Sequence, residues 1–178
     1  MIGMTLQPRA ASAWGSSGMI ERPAFGADRQ FVTVEGDASG LAQHISAGGH
    51  TFAADEALTA GGTGTGPDPY QLLLAALGAC TSMTVALYAR RKQWPLRRVR
   101  VQLAHSRVWA QDCAACLTQP AHLDRIERVI EFSGDLTEEQ RRRLIEIAER
   151  CPIHRTLTSG IDIVTSLSQV RSEAQERE

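Results

Sequence analysis

The feature that most constrains this chain is one long apolar segment, residues 69–92. Its apolar residues fall on nearly every side of a helix: Leu72, Leu73, Leu74, Ala75, Ala76, Leu77, Ala79, Met83, Val85, Ala86 and Leu87. A helix that is apolar all round is usually buried, so we expect this one to lie in the core or in an oligomer interface. Asp68 is placed to cap it and Pro69 to occupy its first position. The basic residues 90–92 match the partial negative charge at the C-terminal end of the helix, and Pro95 prevents its continuation.

The segments around this helix carry β-strand patterns. We expect strands at residues 31–34, 41–45, 50–53, 97–108, 126–132 and 161–167, with the fifth pairing antiparallel to the fourth. The glycine-rich stretch 59–69 reads as a plain loop, because its spacing matches neither a dinucleotide fingerprint nor a P-loop. The order of strands, long helix, strands, helix and strand predicts an α+β fold.

A second helix is predicted where Thr137 and Gln140 form a capping box. Its expected buried stripe consists of Leu144, Ile145, Ala148 and Cys151. Its expected i,i+4 ion pairs are Glu138–Arg142, Glu139–Arg143 and Glu146–Arg150.

Size and charge narrow the class of protein. The 178 residues suit one domain, and a formal net charge of −1 argues against a general nucleic-acid binder. No uninterrupted apolar run reaches the length of a membrane span, and no secretory signal is visible, so we expect a cytoplasmic protein without a membrane partner. We expect a folded domain at 29–168, flanked by flexible segments at 1–28 and 169–178, with Met19 an alternative start that would make residues 1–18 non-native.

Two of the four cysteines lie near helices. Cys80 lies within the long helix, where a free thiol commonly serves as a small buried apolar group. Cys151 directly precedes Pro152, which can start a short helix, so Cys151 would lie at a helix N-terminus that favours the thiolate. His154 and Arg155 could add positive potential there. A junction between helices with an inert buried thiol is the alternative.

The other two cysteines form a CxxC pair at Cys113 and Cys116. Such a pair is half of a zinc site, a redox pair, or a segment with no specific role. His105 and His122 could complete a set of four ligands, although these spacings match no zinc-finger pattern. No metal is therefore assigned.

Two motifs resemble those of the OsmC/Ohr family. The first is GGTGTGPDPYQLLLAALGACT at residues 61–81, and the second is RCPIHRTL at residues 150–157. The insert DCAAC at 112–116 is similar to that of an OsmC-like subgroup. The resemblance spans about 31–167 and implies an intertwined homodimer, with long central helices wrapped by antiparallel β-sheets.

The resemblance also implies an activity, the reduction of organic hydroperoxides. Cys80 would be the peroxidatic thiolate and become a sulfenic acid, and Cys151 would be the resolving thiol. An external dithiol would reduce the resulting disulfide, with no cofactor.

At one point the chain departs from the family pattern. In peroxidatic members a Glu follows the proline of the first motif and pairs with an Arg that contacts the peroxidatic cysteine. This chain has Tyr70 and then Gln71 there. Candidates for the arginine are Arg22, Arg29 and Arg155.

Three functions are therefore weighed. The favoured one is a thiol-dependent peroxidase that uses Cys80 and Cys151 in oxidative-stress defence. The first alternative is a non-catalytic protein that binds a small apolar ligand at the dimer interface. The second is a redox or metal site at Cys113 and Cys116.

Overall fold

The computed structural model describes residues 31–109 and 122–167. In chain order the elements are β1 (Val32–Gly36), β2 (Gln43–Ala47), β3 (His50–Ala54), a short 3-10 turn (Leu58–Ala60), α1 (Pro69–Arg91), β4 (Leu96–Trp109), β5 (His122–Gly134), α2 (Glu138–Ala148) and α3 (Pro152–Thr158). The α+β class predicted from the order of patterns is confirmed.

Two antiparallel sheets frame the helices. β1, β2 and β3 form one sheet in that order, and the turn between β2 and β3 uses Gly48 and Gly49 at φ of 56° and 83°. Glycine is suited to such positive values because it has no Cβ. β4 and β5 form a long two-stranded ribbon in which His105 lies opposite Ile126. The predicted antiparallel pairing of these two strands is confirmed.

The glycine-rich loop wraps around a buried carboxylate, that of Asp55. Its oxygens accept hydrogen bonds from the backbone N–H of Glu56 and from the N–H and hydroxyl groups of Thr63 and Thr65. A Cβ on Gly62 would lie 1.9 Å from the carbonyl oxygen of Glu56, so only glycine fits there. These amides and hydroxyls are directed at Asp55, which agrees with a structural loop.

Helix α1 begins at a complete capping box. Asp68 accepts from the N–H of Gln71, and the Gln71 side chain accepts from the N–H of Asp68. One stripe of the helix is buried: Leu77, Thr81, Val85 and Ala89. This stripe meets α2, where Val85 and Ala89 form a core with Leu136, Leu144 and Ala148.

Helix α1 is not buried on all sides within the described part of the chain, so the core alone does not cover it; the predicted oligomer interface stays a prediction. Met83 is 71% exposed and Leu87 is 49% exposed. The reason is geometric, because the ribbon, α2 and α3 cover only part of the helix surface. α1 is also long and apolar enough to cross a membrane by length and composition, a test that core helices of soluble proteins pass as well.

Helix α2 follows its predicted cap but differs in detail. Thr137 and Gln140 form the expected capping box. Ile147 is buried in place of the predicted Ile145, because Leu144, Ile147 and Ala148 share one helix face at i, i+3, i+4 spacing. In the described part of the chain, the ion pair on this helix joins Arg143 to Glu146, in place of the three predicted i,i+4 pairs.

The strand predicted at 161–167 is not formed. This segment has no regular structure, and its apolar side chains are exposed: Ile161, Ile163, Val164 and Leu167. A strand requires a neighbour for its N–H and C=O groups, and none of the described strands pairs with this segment. The alternating pattern is therefore present without a partner among the described strands.

Candidate functional site

The contact between α1 and α3 brings the two motifs together. The hydroxyl oxygen of Thr81 lies 3.6 Å from Sγ of Cys151, and both residues are fully buried. Thr81 directly follows Cys80, which is half-buried on α1. Two segments 70 residues apart in sequence are thus packed against each other at Thr81 and Cys151.

Cys151 is the N-cap of α3, as its position before Pro152 predicts. Its backbone is extended, with φ −63° and ψ 142°. Its Sγ accepts a hydrogen bond of 3.3 Å from the backbone N–H of His154. The sulfur therefore has an N–H donor on one side and the Thr81 hydroxyl on another.

Sequence reasoning missed Arg128 of β5. Its guanidinium donates a 2.9 Å hydrogen bond to the Thr81 hydroxyl oxygen and a 3.4 Å bond to the carbonyl of Ala148. The signal was present in the sequence, since Arg128 shares a strand face with Ile126 and Ile130, all half-buried. An arginine on the apolar face of an amphipathic strand usually has a specific buried partner.

Tyr70 and Gln71, the residues at the motif position of the family glutamate, are engaged elsewhere. Gln71 completes the cap of α1. The Tyr70 ring stacks on His105, with ring centroids 4.1 Å apart. Hydrogen bonding to Tyr70 is the main influence that raises the pKa of Arg107.

The ribbon residues beside Tyr70 form a small polar group. Nε2 of His105 lies 2.9 Å from Oδ1 of Asp124, and Nε of Arg107 lies 3.6 Å from the same oxygen. The hydrogen bond to His105 is the largest cause that lowers the pKa of Asp124. This geometry uses His105, one of the candidate metal ligands, in a contact with a carboxylate.

The remaining candidates divide into two groups. His154 is half-buried and reaches the sulfur through its backbone, whereas Arg155 is exposed on α3. Outside the described residues lie Arg22, Arg29, Cys113 and Cys116. Within 31–109 and 122–167, no cluster of three His, Cys, Asp or Glu side chains could hold a metal ion.

An open groove of about 510 Å³ runs between α1 and β4. Its lining is mostly apolar: Gln71, Leu74, Ala75, Gly78, Ala79, Ser82, Val101 and Leu103. A Cβ at Gly78 would lie 2.9 Å from Cδ1 of Leu103, so a larger residue there would have to displace the end of the Leu103 side chain. Ala79 and Ser82 place the groove next to the helical turn that carries Cys80.

Solved structures with the same fold come from several bacteria. An OsmC-like protein from Mycoplasma pneumoniae is 20% identical, with a TM-score of 0.59 over 74% of this chain and 88% of that one. The organic hydroperoxide resistance protein OhrB of Bacillus subtilis is 22% identical, with a TM-score of 0.52 over 75% and 93%. An organic hydroperoxide resistance protein OsmC from Legionella pneumophila is 17% identical, with a TM-score of 0.55 over 79% and 95%.

Comparison with curated proteins gave no match. The family model for OsmC-like proteins, in contrast, matches residues 62–166, which is more than half of the chain and includes both cysteine motifs from α1 and α3. The chain therefore belongs to the OsmC-like protein family.

Proposed function

We propose that this protein is a thiol-dependent peroxidase that reduces organic hydroperoxides through Cys80 and Cys151. The observation that carries the proposal is the buried contact between Thr81 and Cys151, which packs the residue next to Cys80 against the second thiol. Two of the structural neighbours are named organic hydroperoxide resistance proteins, which supports the same substrate class.

The proposed reaction has three steps. The Cys80 thiolate attacks one peroxide oxygen, the O–O bond breaks, and the alkoxide leaves as an alcohol after taking a proton. The resulting sulfenic acid reacts with the Cys151 thiol, forming a disulfide and releasing water. An external dithiol then reduces the disulfide by two thiol–disulfide exchanges and is itself oxidised. No cofactor takes part.

The half-buried position of Cys80 and the full burial of Cys151 suit these roles. The first thiol must meet a substrate, whereas the second has to react only with an oxidised neighbour. The groove between α1 and β4 offers apolar walls beside the Cys80 turn, which suits an organic rather than an inorganic peroxide.

We further propose that the working form is a homodimer. In the single chain, α1 exposes Met83 and Leu87, and the strand-patterned segment 161–167 exposes four large apolar side chains. A second copy could cover both surfaces.

The test is consumption of cumene hydroperoxide with excess dithiothreitol. It is best done in a Cys113→Ser/Cys116→Ser background, which leaves two thiols of the original four. Cys80→Ser should abolish turnover. Cys151→Ser should allow one oxidation and leave Cys80 as a sulfenic acid that dimedone traps, identified by mass spectrometry.

Ser133→Ala, on the exposed side of β5 and outside the groove, is the control and should retain turnover. Equal activity of Cys80→Ser and the parent protein would exclude the proposed mechanism. If the Cys113→Ser/Cys116→Ser protein itself has lost turnover, the redox site lies at Cys113 and Cys116. These two cysteines lie outside the described residues.

The groove also favours a second candidate, a non-catalytic protein that binds a small apolar ligand. This function predicts no peroxide consumption by the parent protein and a small molecule that co-purifies with it. Native mass spectrometry would detect such a ligand, and Gly78→Leu, which fills the groove, should release it.

A further inference from the structure

We infer that Arg128 is a positioning residue for the Cys151 sulfur and that it acts through the Thr81 hydroxyl. The inference rests on the proposed function, because it concerns the thiol that resolves an oxidised Cys80. It adds a residue of β5 to a site otherwise made by α1 and α3.

The first step is the direction of the hydrogen bonds. Arg128 can only donate, so in the 2.9 Å contact the Thr81 oxygen is the acceptor. The single hydroxyl hydrogen of Thr81 is then available for its other polar neighbour, Sγ of Cys151 at 3.6 Å. The guanidinium occupies one lone pair of the hydroxyl, and because a thiolate can only accept, the hydroxyl donates to the sulfur when Cys151 is ionised.

The second step concerns charge. In the part of the chain that the structure describes, Arg128 has no ion pair with a carboxylate; its partners are a hydroxyl and the carbonyl of Ala148. Its positive charge therefore acts on Thr81 and, through it, on the sulfur. Since Thr81 and Cys151 are fully buried, water screens this interaction little.

The third step is the effect on reactivity. The sulfur accepts from the His154 N–H in addition to the Thr81 hydroxyl. Two donors and a nearby cation stabilise negative charge on the sulfur, and the thiolate is the nucleophile in disulfide formation. Arg128 should therefore speed the attack of Cys151 on disulfides and sulfenic acids near neutral pH, where the supply of thiolate limits the rate.

A direct test uses a protein whose sole cysteine is Cys151, made by Cys80→Ser, Cys113→Ser and Cys116→Ser. Its reaction with 4,4′-dithiodipyridine forms a mixed disulfide and releases thiopyridone, which is followed by absorbance. We expect Arg128→Gln and Thr81→Val to slow this reaction on the order of tenfold, the loss expected for a charge-assisted hydrogen bond. Arg128→Lys and Thr81→Ser should restore most of the rate.

The direction of the change separates positioning from simple stability. A variant that only loosens the fold would open the buried site more often and would accelerate the reaction. Arg141→Gln is the matched control, because Arg141 also donates to backbone carbonyls, those of Phe132 and Gly134, and contacts neither Thr81 nor Cys151. It should leave the rate unchanged or raise it.

An unchanged or faster reaction in Arg128→Gln would overturn the inference. The same would follow if Thr81→Ser failed to restore the rate lost in Thr81→Val. This measurement needs neither peroxide nor Cys80. A protein that shows the Arg128 effect but consumes no hydroperoxide would therefore refute the proposed function alone.

Discussion

At the scale of single residues, buried polar groups organise both the loop and the site. Asp55 gathers five hydrogen bonds from Glu56, Thr63 and Thr65, and Arg128 joins β5 to Thr81 and the end of α2. A buried polar group must be paired, so each of these side chains determines the position of its neighbours. The Asp55 carboxylate thus holds the loop, and the Arg128 guanidinium holds Thr81, the residue that contacts Cys151.

Asp55 also predicts a pH dependence of stability. Its hydrogen bonds, the one with the Thr63 side chain above all, hold its pKa far below the ordinary value of 3.8. Because the folded-state pKa is the lower one, this carboxylate contributes fully above the unfolded value and loses its contribution as pH falls below about 4. Asp55→Asn should therefore lower the melting temperature at pH 7 and remove part of the acid sensitivity.

Thermal unfolding followed by circular dichroism at neutral and acidic pH measures both effects. Asp37→Asn is the control, because Asp37 is exposed and its carboxylate accepts a hydrogen bond from the neighbouring Ser39 N–H. A fall in melting temperature of Asp55→Asn no larger than that of the control would contradict the structural role of the carboxylate.

At the scale of elements, the helices begin where their caps dictate. Asp68 with Gln71 opens α1, Thr137 with Gln140 opens α2, and Cys151 opens α3. The first two caps serve stability. The third uses a sulfur in the place of the usual oxygen. The hydrogen bond that caps α3 is therefore also a hydrogen bond to the thiol of the site.

Loss of the α1 cap should destabilise the protein without altering its chemistry. Asp68→Ala removes the acceptor for the Gln71 N–H and should lower the free energy of unfolding by about 1 kcal/mol. Urea unfolding measures the loss. Thr137→Ala in α2 should cost a similar amount, and Asp68→Asn, which keeps an acceptor, much less. No loss in Asp68→Ala would show that the packing of α1 alone determines where the helix starts.

At the scale of the whole molecule, the described residues 31–109 and 122–167 expose a large apolar surface. One face of α1 and the segment 161–167 carry exposed side chains such as Met83, Val164 and Leu167. Large contiguous apolar patches are typical of interaction sites. The homodimer proposed above would bury them.

The dimer is tested by analytical ultracentrifugation at micromolar concentration. The chain has a mass of 19.4 kDa, and the sedimenting species should have twice that mass. Met83→Glu, which places a charge on the exposed face of α1, should shift the population toward monomer, whereas Glu138→Lys on exposed α2 should not. A wild-type monomer that floats with lipid vesicles would instead assign the apolar face of α1 to a membrane surface.

The sequence by itself determined the features that depend on local pattern: the extent and cap of α1, the β4–β5 pairing, the capping box at Thr137 and the helix start at Cys151. These follow from periodicity, caps and proline, which act within a few residues. The tertiary structure alone decided which face of α1 is covered, that residues 161–167 pair with none of the described strands, and that Arg128 meets Thr81. Such contacts join residues dozens of positions apart, and only the packing of the helices on the ribbon brings them within bonding distance.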